Sequence, residues 1–392
     1  MIRIGLSTSV VQGGRSGVAT YIFGILDGLR QIGAPIELTI MGLENDLPLF
    51  QSWMGWAKWL PVAERFRPAI RNVAWHQFIL PGLARREGFD LVHIPSYRRM
   101  VASLPCPQLA TIHDCAAFAV AGKYDLARMI YGRVVVKWLA RQVTRITTVS
   151  GATADDVVNY FQLPRERIDV IWNGIDHGRL KPQDKTLVDE GLRTRFQRKT
   201  PYFIYLARLE HPGKNHVRLI EAFETWAKQN PALKHELWLG GADWHGVEVI
   251  RARAQSSPLR TRIRFLGFVD SDDLPMLYAG AEAMIYPSLF EGFGLPPVEA
   301  MACGSPVISS GCGSLEEVTG NACLRIDPLQ PETIVTAMNQ IATDPSLRAD
   351  LIQRGLAHAA QFSWERAAEK LMKSYWATLG KGDSLERKDK RI

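Results

Sequence analysis

The sequence predicts an α/β protein made of two Rossmann-like domains in tandem, each with a parallel sheet that is covered by helices. Short β-type runs alternate with helix-like segments along the chain, and this order is typical of parallel sheets with helices on both faces. The alternation occurs twice, and 392 residues suffice for two domains of ordinary size, each with its own core.

The first half contains six predicted strands, separated by helix-like segments. Two examples of these segments are 18–33 and 125–145. β-branched residues recur in the short runs between them, as they do in strands. The predicted strands are IRIGLS at 2–7, ELTIMG at 37–42, LVHIPS at 91–96, LATIHD at 109–114, RITTVS at 145–150 and IDVIWN at 168–173.

The second half repeats this pattern with five predicted strands. Helix-like segments at 215–230, 272–282 and 296–304 lie between them. The predicted strands are YFIYLA at 202–207, HELWLGG at 235–241, IRFLGFV at 263–269, AMIYPS at 283–288 and PVISS at 306–310.

These patterns predict the domain boundaries. We expect an N-terminal domain over 1–180 and a C-terminal domain over 181–364, with the polar segment 178–198 as the linker. A last amphipathic helix at 365–380 is expected to pack back on the N-terminal domain, and the charged tail at 381–392 to be disordered. In such a protein a ligand is expected in the crevice between the domains, at the carboxyl ends of the strands.

The composition excludes several classes of protein. The five cysteines form no C-x-x-C pair, which argues against a disulfide framework or a zinc site and fits a reducing compartment. The first ten residues alternate like a strand, and no run of about 18 apolar residues occurs. We therefore expect a cytoplasmic protein with neither a signal peptide nor a membrane span.

Positive charge is concentrated in one part of the chain. Residues 51–150 contain 14 Lys and Arg against five Asp and Glu, which predicts an anionic partner for this part. The segment 53–82 places four tryptophans among basic residues, a composition that suits either core packing or peripheral contact with anionic lipid. No nucleic-acid-binding module is present, so nucleic acid is not an expected partner.

The stretch LFEGFGLPPVEAMACGSPVI at 289–308 indicates the chemistry. Its glycines allow a turn after a strand, and its two prolines suit the first turn of a helix. A helix N-terminus favours a phosphate, for which a carboxylate is a poor partner. Glu291 and Glu299 make sense as acceptors of hydrogen bonds from sugar hydroxyls, at different parts of one extended ligand.

With these residues the chain resembles the retaining glycosyltransferases of family 4, which have the two-domain GT-B fold. The E-x7-E pattern of Glu291 and Glu299 carries the resemblance, and it extends over nearly the whole chain. Seven further segments support it in the expected order: GGRSGVATY at 13–21, TIHD at 111–114, TTVSGATADDV at 147–157, VIWNGID at 170–176, FIYLARLEHPGKN at 203–215, FLGFVDSDDLPMLY at 265–278 and FSW at 362–364.

The resemblance implies a role for each matching residue. Glu291 would hold donor-sugar hydroxyls, Glu299 the nucleotide ribose, and Arg208 with Lys214 the diphosphate. His113 would lie near the donor sugar and the acceptor. The other positions assigned to donor binding are the glycine turn Gly13 and Gly14, together with Phe268, Gly292, Phe293, Gly294 and Leu295.

Other interpretations are available for several of these residues. His113 could be a structural histidine at a strand end, and Asp114 could orient it or cap the following segment. The D-S-D sequence at 270–272 is similar to a metal-binding motif, but it suits a helix cap by Asp270 or Ser271 better, so no metal ion is expected. The family usually has glycine where this chain has Ala207, which would be strained only at positive φ.

The resemblance implies a metal-independent retaining hexosyltransferase without a cofactor. The C-terminal domain would bind the nucleotide sugar and the N-terminal domain the acceptor, a glycan or a polyprenyl-diphosphate-linked glycan. The amino-acid sequence of the motifs is similar to that of bacterial mannosyltransferases of surface-polysaccharide assembly. GDP-mannose is therefore the first expected donor, and UDP-hexoses are the second. A nucleotide-sugar-binding protein or an epimerase without transferase activity is the alternative from another class.

Overall fold

The computed structural model describes residues 1–14, 16–119 and 131–381. The chain divides into two compact units, and each contains one parallel sheet with helices around it. The first unit comprises Met1–Gly174 and the segment that begins at Ser363, and the second comprises Ile175–Phe362. The division falls at 174/175, upstream of the expected 180/181, and the predicted tail at 382–392 lies outside the described residues.

The first unit has a seven-stranded parallel sheet in the order β3-β2-β1-β4-β5-β6-β7. Its strands are β1 (Ile2–Ser7), β2 (Ile36–Leu43), β3 (Lys58–Val62), β4 (Leu91–Ile94), β5 (Gln108–Ile112), β6 (Arg145–Thr148) and β7 (Ile168–Val170). The sequence analysis missed β3. It contains Pro61, which cannot donate to a ladder and is therefore tolerated at the edge of the sheet.

The helices of the first unit begin where the sequence supplies capping side chains. Ser16 accepts a hydrogen bond from the Ala19 amide, and Ser150 accepts one from the Thr153 amide. The predicted helix 125–145 begins outside the described residues; its described part is a π-helical turn, Tyr131–Val136, and α5. The helices are α1 (Gly17–Gln31), α2 (Ala69–Phe78), α3 (Leu80–Glu87), α4 (Ala116–Ala119), α5 (Lys137–Gln142) and α6 (Gly151–Phe161).

The second unit has a six-stranded parallel sheet in the order β10-β9-β8-β11-β12-β13. Its strands are β8 (Tyr202–Leu206), β9 (Glu236–Gly240), β10 (Ile263–Gly267), β11 (Ala283–Tyr286), β12 (Val307–Ser310) and β13 (Leu324–Ile326). Its helices are α7 (Lys185–Arg195), α8 (His216–Gln229), α9 (Val247–Gln255), α10 (Leu274–Ala279), α11 (Leu295–Ala302), α12 (Leu315–Thr319), α13 (Pro331–Thr343) and α14 (Pro345–Ala359).

Helix α7 occupies most of the predicted linker, so the interpretation of 178–198 as a linker is wrong. Asp184 caps the helix by accepting hydrogen bonds from two amides of its first turn. Val188 and Leu192 are buried, and α7 packs against α10. Two buried apolar side chains in eleven residues were too weak a signal in a segment that is otherwise polar.

The final helix, α15 (Trp364–Thr378), belongs to the first unit. It packs against α1 so closely that a Cβ on Gly28 would lie 2.2 Å from the carbonyl oxygen of Trp364. Tyr375 on the buried face bonds through its hydroxyl to Nδ1 of His93 at 2.9 Å. The amphipathic pattern of this segment is thus explained by burial against α1 and the sheet.

The tryptophans of 53–82 contribute to the core, and peripheral membrane contact by this segment stays a prediction. Trp53 and Trp75 are buried, and Trp56 and Trp59 are half-buried. Trp53 stacks on Phe23 with 5.6 Å between the ring centroids. Within the described ranges, no helix combines the length and the apolar composition that crossing a bilayer requires.

Candidate active site

The sheet of the second unit has its topological switch point between β8 and β11. From β8 the chain runs outward through β9 and β10, then returns to pair β11 with the other side of β8. Loops that leave two such strands diverge and open a crevice at their carboxyl ends, where ligands bind in this class of sheet. The loop after β8 carries Arg208 and Lys214, and the loop after β11 carries Glu291.

Lys214 and Glu291 meet at this switch point. Nζ of Lys214 lies 2.5 Å from Oε1 of Glu291, and the hydroxyl of Tyr286 donates to the same oxygen at 2.8 Å. The two charged side chains are 13% and 12% exposed. The other carboxylate oxygen of Glu291, Oε2, accepts no hydrogen bond from the described residues. One oxygen is thus fixed by the protein, and the second is available to a ligand.

The two loops are joined by hydrogen bonds besides the ion pair. The Asn215 side-chain amide donates to the carbonyl oxygens of Pro287 at 3.1 Å and Pro328 at 2.7 Å. The Leu289 amide donates to the Gly213 carbonyl at 2.9 Å. These bonds hold Lys214 and Glu291 at a fixed separation, which suits a binding site that is formed before its ligand arrives.

Arg208 is held from two sides and remains half exposed. Its guanidinium lies over the ring of Trp244, 4.8 Å from the centroid, and one nitrogen is 3.2 Å from the buried carboxylate of Glu210. Stacking and the ion pair orient the guanidinium while leaving N–H groups for an anion. Ala207 is not among the described residues with positive φ, so the family's usual glycine is not required there.

The turn after β11 brings main-chain amides to the start of α11. Gly294 has φ 90°, and a Cβ there would lie 2.5 Å from Cδ2 of Leu315. The hydroxyl of Ser314 donates to the carbonyl oxygens of Glu291 and Phe293 at 3.1 and 2.8 Å. The two prolines of the first helical turn have no N–H, so the donors for an anion are the amides of the turn and of Leu295.

Glu299 lies on α11 in an environment different from that of Glu291. The hydroxyl of Tyr278 donates to its Oε2 at 3.1 Å. Burial raises the pKa of the Glu299 carboxyl above its ordinary value, although this hydrogen bond and the charge of Arg179 oppose the shift. Burial also raises the pKa of Tyr278 far above its usual range, so the phenol stays a neutral donor.

The remaining predicted positions of the second unit divide into exposed and buried ones. Phe268 is half exposed after β10, whereas Gly292 and Phe293 are buried, and the Phe293 ring packs against Phe362 at 6.0 Å. Phe293 therefore offers a ligand its backbone and not its ring. The predicted cap by Asp270 or Ser271 is wrong, because α10 begins at Leu274 and Asp273 precedes it.

His113 follows β5 in the first unit. Its Nε2 lies 3.2 Å from the carbonyl oxygen of Pro95, and its ring meets Tyr21 edge-on at 4.8 Å. A carbonyl can only accept, so Nε2 carries the proton and Nδ1 keeps its lone pair. Burial lowers the pKa of His113 to about 4. Asp114 caps the next turn by accepting from the Ala116 amide at 3.0 Å.

Gly13 and Gly14 lie in the loop after β1, which is adjacent to β4 at the switch point of the first sheet. Both have positive φ, 69° and 83°, and in the described ranges no atom lies within 4 Å of a Cβ built on Gly13. At Gly13 the backbone therefore has room beside it, and contact of this turn with a phosphate stays a prediction.

Sequence reasoning missed the residues that hold the predicted ones. Tyr286, Tyr278, Glu210 and Trp244 all contact a charged site residue. Tyr286 had a usable signal, because it lies in a predicted strand shortly before the glutamate loop. Glu210 and Tyr278 lie in segments that support the resemblance but were given no role, and Trp244 lies in none of these segments.

Two family models match the chain. The model described as Glycosyltransferase Family 4 matches residues 15–179, and the model described as Glycosyl transferases group 1 matches residues 193–358. O-antigen chain mannosyltransferase B of Escherichia coli is 31% identical over 269 residues, which is 68% of this chain and 69% of that protein. The chain belongs to glycosyltransferase family 4. The predicted family is confirmed, and the protein is a glycosyltransferase.

Solved structures show that this glycosyltransferase has the GT-B fold, as predicted. Sucrose-phosphate synthase from Thermosynechococcus elongatus superposes with a TM-score of 0.78 at 19% identity, over 97% of this chain and 100% of that one. Anabaena Alr3699/HepE, in complex with UDP and glucose, gives a TM-score of 0.75 at 18% identity, over 96% of this chain and 100% of that one. At these identities the likeness concerns the fold alone.

Proposed function

We propose that this glycosyltransferase moves mannose from GDP-mannose to a glycan or lipid-linked glycan of a bacterial surface polysaccharide, with retention of configuration and without a metal ion. The mannosyl unit and the acceptor class are suggested by the relative from Escherichia coli, whose name is that of an O-antigen chain mannosyltransferase. The observation that carries the binding mode is the convergence of Lys214 and Tyr286 on one oxygen of Glu291.

In this proposal the cations stabilise the leaving group. Lys214 and Arg208 lie in one loop at the switch point, together with the amides at the start of α11. Positive groups fixed before the reaction stabilise charge that develops on the departing nucleoside diphosphate. Two fixed cations and helix-terminal amides provide the charge stabilisation that a metal ion provides in other transferases.

The two carboxylates would accept hydrogen bonds from hydroxyls of the sugars on either side of the diphosphate. Oε2 of Glu291 is available to accept from a hydroxyl of the transferred sugar, because Oε1 is already occupied. Glu299, on α11, would accept from the ribose. In the transfer step the bond between C1 and the phosphate oxygen breaks, the bond from C1 to the acceptor oxygen forms on the same face, and the acceptor proton passes to the departing phosphate.

His113 would act as a neutral hydrogen-bonding group. With a pKa of about 4 it is uncharged at neutral pH, and its Nδ1 lone pair can accept from a sugar hydroxyl. It would position the reacting sugar or acceptor and would not supply positive charge.

A UDP-hexose is the second candidate donor, because the structural neighbour HepE is in complex with UDP and glucose. Thermal-shift titration with GDP-mannose, UDP-glucose and UDP-N-acetylglucosamine separates the two, since a ligand that binds only the folded state raises its stability. The anomeric configuration of the product, read by NMR, tests retention. Activity that a chelator abolishes and manganese restores would overturn metal independence.

A matched pair of lysine variants tests the role of Lys214. Lys214→Ala is expected to lose the thermal shift with the donor, whereas the exposed Lys228→Ala on α8 is expected to keep it. If both variants respond to the donor like the parent protein, the diphosphate does not bind at Lys214 and the proposed function fails.

A further inference from the structure

Tyr205 on β8 is a buried tyrosine whose hydroxyl bonds to the backbone of Lys214. Its side chain is fully buried, and the hydroxyl donates to the carbonyl oxygen of Lys214 at 2.8 Å. Lys214 directly precedes Asn215, whose carbonyl accepts the first bond of helix α8, from the Leu219 amide. The Lys214 carbonyl therefore lies outside the helix ladder, and within the described ranges the Tyr205 hydroxyl is its donor.

Tyr286 holds the Glu291 side chain, whereas Tyr205 holds the Lys214 backbone. Tyr205 lies on β8 and Tyr286 ends β11, and these are the two strands at the switch point of the second sheet. The Tyr286 hydroxyl donates to Oε1 of Glu291 at 2.8 Å, and the two tyrosine rings meet edge-on with 5.4 Å between their centroids. Two packed rings thus connect the residue that carries the cation with the residue that carries the carboxylate.

A second ring also packs against Tyr205. The buried imidazole of His216, the first residue of α8, lies against it with 4.6 Å between the centroids. Burial, and after it the charge of Glu291, raises the pKa of the Tyr205 phenol far above its usual range, so the hydroxyl keeps its proton and remains a donor. The position of this donor is therefore fixed below the loop that carries Lys214.

We propose that Tyr205 is a positioning residue for the transfer reaction. By holding the Lys214 carbonyl it fixes the peptide from which the lysine side chain extends, and so sets where Nζ lies relative to Glu291. A cation stabilises a developing charge best when it is held in place before the reaction. The inference rests on the proposed role of Lys214 at the diphosphate. Tyr205 is buried, and it acts through Lys214 and not through contact with the donor.

Tyr202 on the same strand provides a matched control. It lies three positions before Tyr205, so the two side chains are on opposite faces of the sheet. Tyr202 is fully buried as well, its hydroxyl donates to the carbonyl oxygen of Leu277 at 2.7 Å, and its ring stacks on Trp238. Phenylalanine at either position removes one buried bond from a phenol to a backbone carbonyl, but only at position 205 does that carbonyl belong to Lys214.

The test compares Tyr205→Phe with Tyr202→Phe in the full chain. Turnover is followed as release of GDP from GDP-mannose, or of UDP from UDP-glucose if that is the donor that raises Tm. The kcat of Tyr205→Phe should fall by about tenfold, because a displaced cation stabilises the leaving group less. Tyr202→Phe should keep its kcat within about twofold of that of the parent protein.

Two further measurements accompany the comparison of kcat. The KM of Tyr205→Phe for the donor should change less than its kcat, since the lysine is still present to bind the diphosphate. The Tm should fall by a similar amount in both phenylalanine variants, because each loses one buried hydrogen bond. A purely structural role of Tyr205 would lower Tm without this selective loss of kcat.

A double-variant cycle separates positioning of Lys214 from a general loss of rigidity. If Tyr205 acts through the lysine, Tyr205→Phe should change turnover by less than about twofold when it is added to Lys214→Ala. A further loss of about tenfold in that background would overturn the inference. Equal kcat values of Tyr205→Phe and Tyr202→Phe in the parent background would overturn it as well.

Lys214→Ala alone distinguishes a failure of this inference from a failure of the proposed function. Turnover of Lys214→Ala like that of the parent protein would remove Lys214 from the reaction, and the proposed function and the inference would fail together. A large loss in Lys214→Ala, combined with a Tyr205→Phe that behaves like Tyr202→Phe, would leave the proposed function intact and refute the positioning role of Tyr205.

Discussion

Nζ of Lys214 lies 2.5 Å from Oε1 of Glu291, although 77 positions separate the two residues in sequence. Parallel pairing of β8 with β11 brings them together, because each residue follows the carboxyl end of its strand. Both side chains are largely withdrawn from water, so each balances a charge that would otherwise be costly to bury. The site therefore holds its cation and its sugar-binding carboxylate in place before any ligand is present.

Breaking this pair from one side is expected to destabilise the second unit. Lys214→Met leaves a largely buried carboxylate with Tyr286 as its only donor among the described residues, at a cost on the order of 3 kcal/mol. The double variant Lys214→Met/Glu291→Gln should recover most of the loss, since no unpaired charge is left. Urea unfolding of both, with Lys228→Met as the control, measures the difference. Equal stability of the single and double variants would show that the pair does not balance a buried charge.

Arg208 is expected to matter for turnover more than for stability. Arg208→Ala should lower kcat/KM by on the order of 10²-fold, as the loss of a preorganised donor at a developing charge does. The kcat/KM of Arg208→Lys should lie between those of Arg208→Ala and the parent protein, because lysine keeps the charge and loses the planar stack on Trp244. Steady-state kinetics with Arg193→Ala as the control checks this. Turnover of Arg208→Ala near that of the parent protein would remove Arg208 from the diphosphate site.

The ionised carboxylate of Glu299 is expected to lower the free energy of unfolding at neutral pH. Its pKa is raised in the folded state, so the fold favours the protonated carboxyl and that contribution is lost as pH rises above the ordinary value of 4.5. Glu299→Gln mimics the protonated form and keeps an acceptor for Tyr278. We expect a higher Tm than the parent protein at pH 7, a smaller gain at pH 4 and weaker donor binding. A variant with a lower Tm at pH 7 would contradict this.

Alanine variants of two glycines with nearly the same φ distinguish the effect of backbone strain on stability from that of steric crowding. Gly294 has φ 90° and Gly55 has φ 93°, but only at Gly294 would a Cβ meet an atom, Cδ2 of Leu315 at 2.5 Å. Alanine should cost about 1–2 kcal/mol at either position through strain. Gly294→Ala should cost more and should also impair donor binding, because it shifts the turn that carries Glu291. Thermal unfolding and donor titration of both variants test this; equal losses would argue against crowding.

Acid is expected to destabilise the first unit through buried neutral histidines. Burial lowers the pKa of His93 to about 3, and both of its ring nitrogens bond to neighbours, Tyr375 and Thr111. A depressed folded pKa gives stability that is present above the unfolded value near 6.5 and is lost as pH falls through the folded value. His93→Gln should flatten the loss of stability between pH 6.5 and 4. An unchanged slope in urea titrations at several pH values would contradict this assignment.

The sequence predicted the fold class and the charged site residues because both leave local signals. Alternating runs define the strands, and the glycine turn before Pro296 and Pro297 defines the start of α11. Elements without a strong local pattern were missed, among them β3 with its proline, β13 with its three residues and α7 with its two buried side chains. For the tryptophans of 53–82 the sequence left core packing and membrane contact open, because composition alone does not separate a buried ring from one at a surface.

The contacts that shape the site were beyond the reach of a single sequence. The bond of Tyr286 to Glu291 depends on the geometry of one turn, and that of Tyr278 to Glu299 depends on the packing of α10 against α11. The exposed Ile70 and Phe78 look like core residues in the sequence, since only the orientation of α2 shows which side is covered. The burial that raises the pKa of Glu299 also depends on tertiary packing, which a single sequence does not show.

Because α15 belongs to the first unit, the two units are completed at different stages of translation. The second unit is one uninterrupted stretch of chain, whereas the first needs residues from both sides of it. Gly28 on α1 is in contact with Trp364, which leaves the ribosome only after the entire second unit. The nascent chain can therefore complete its second domain while the first still lacks its last helix. A chain truncated before Ser363 would contain every residue of the second unit but would lack the last helix of the first.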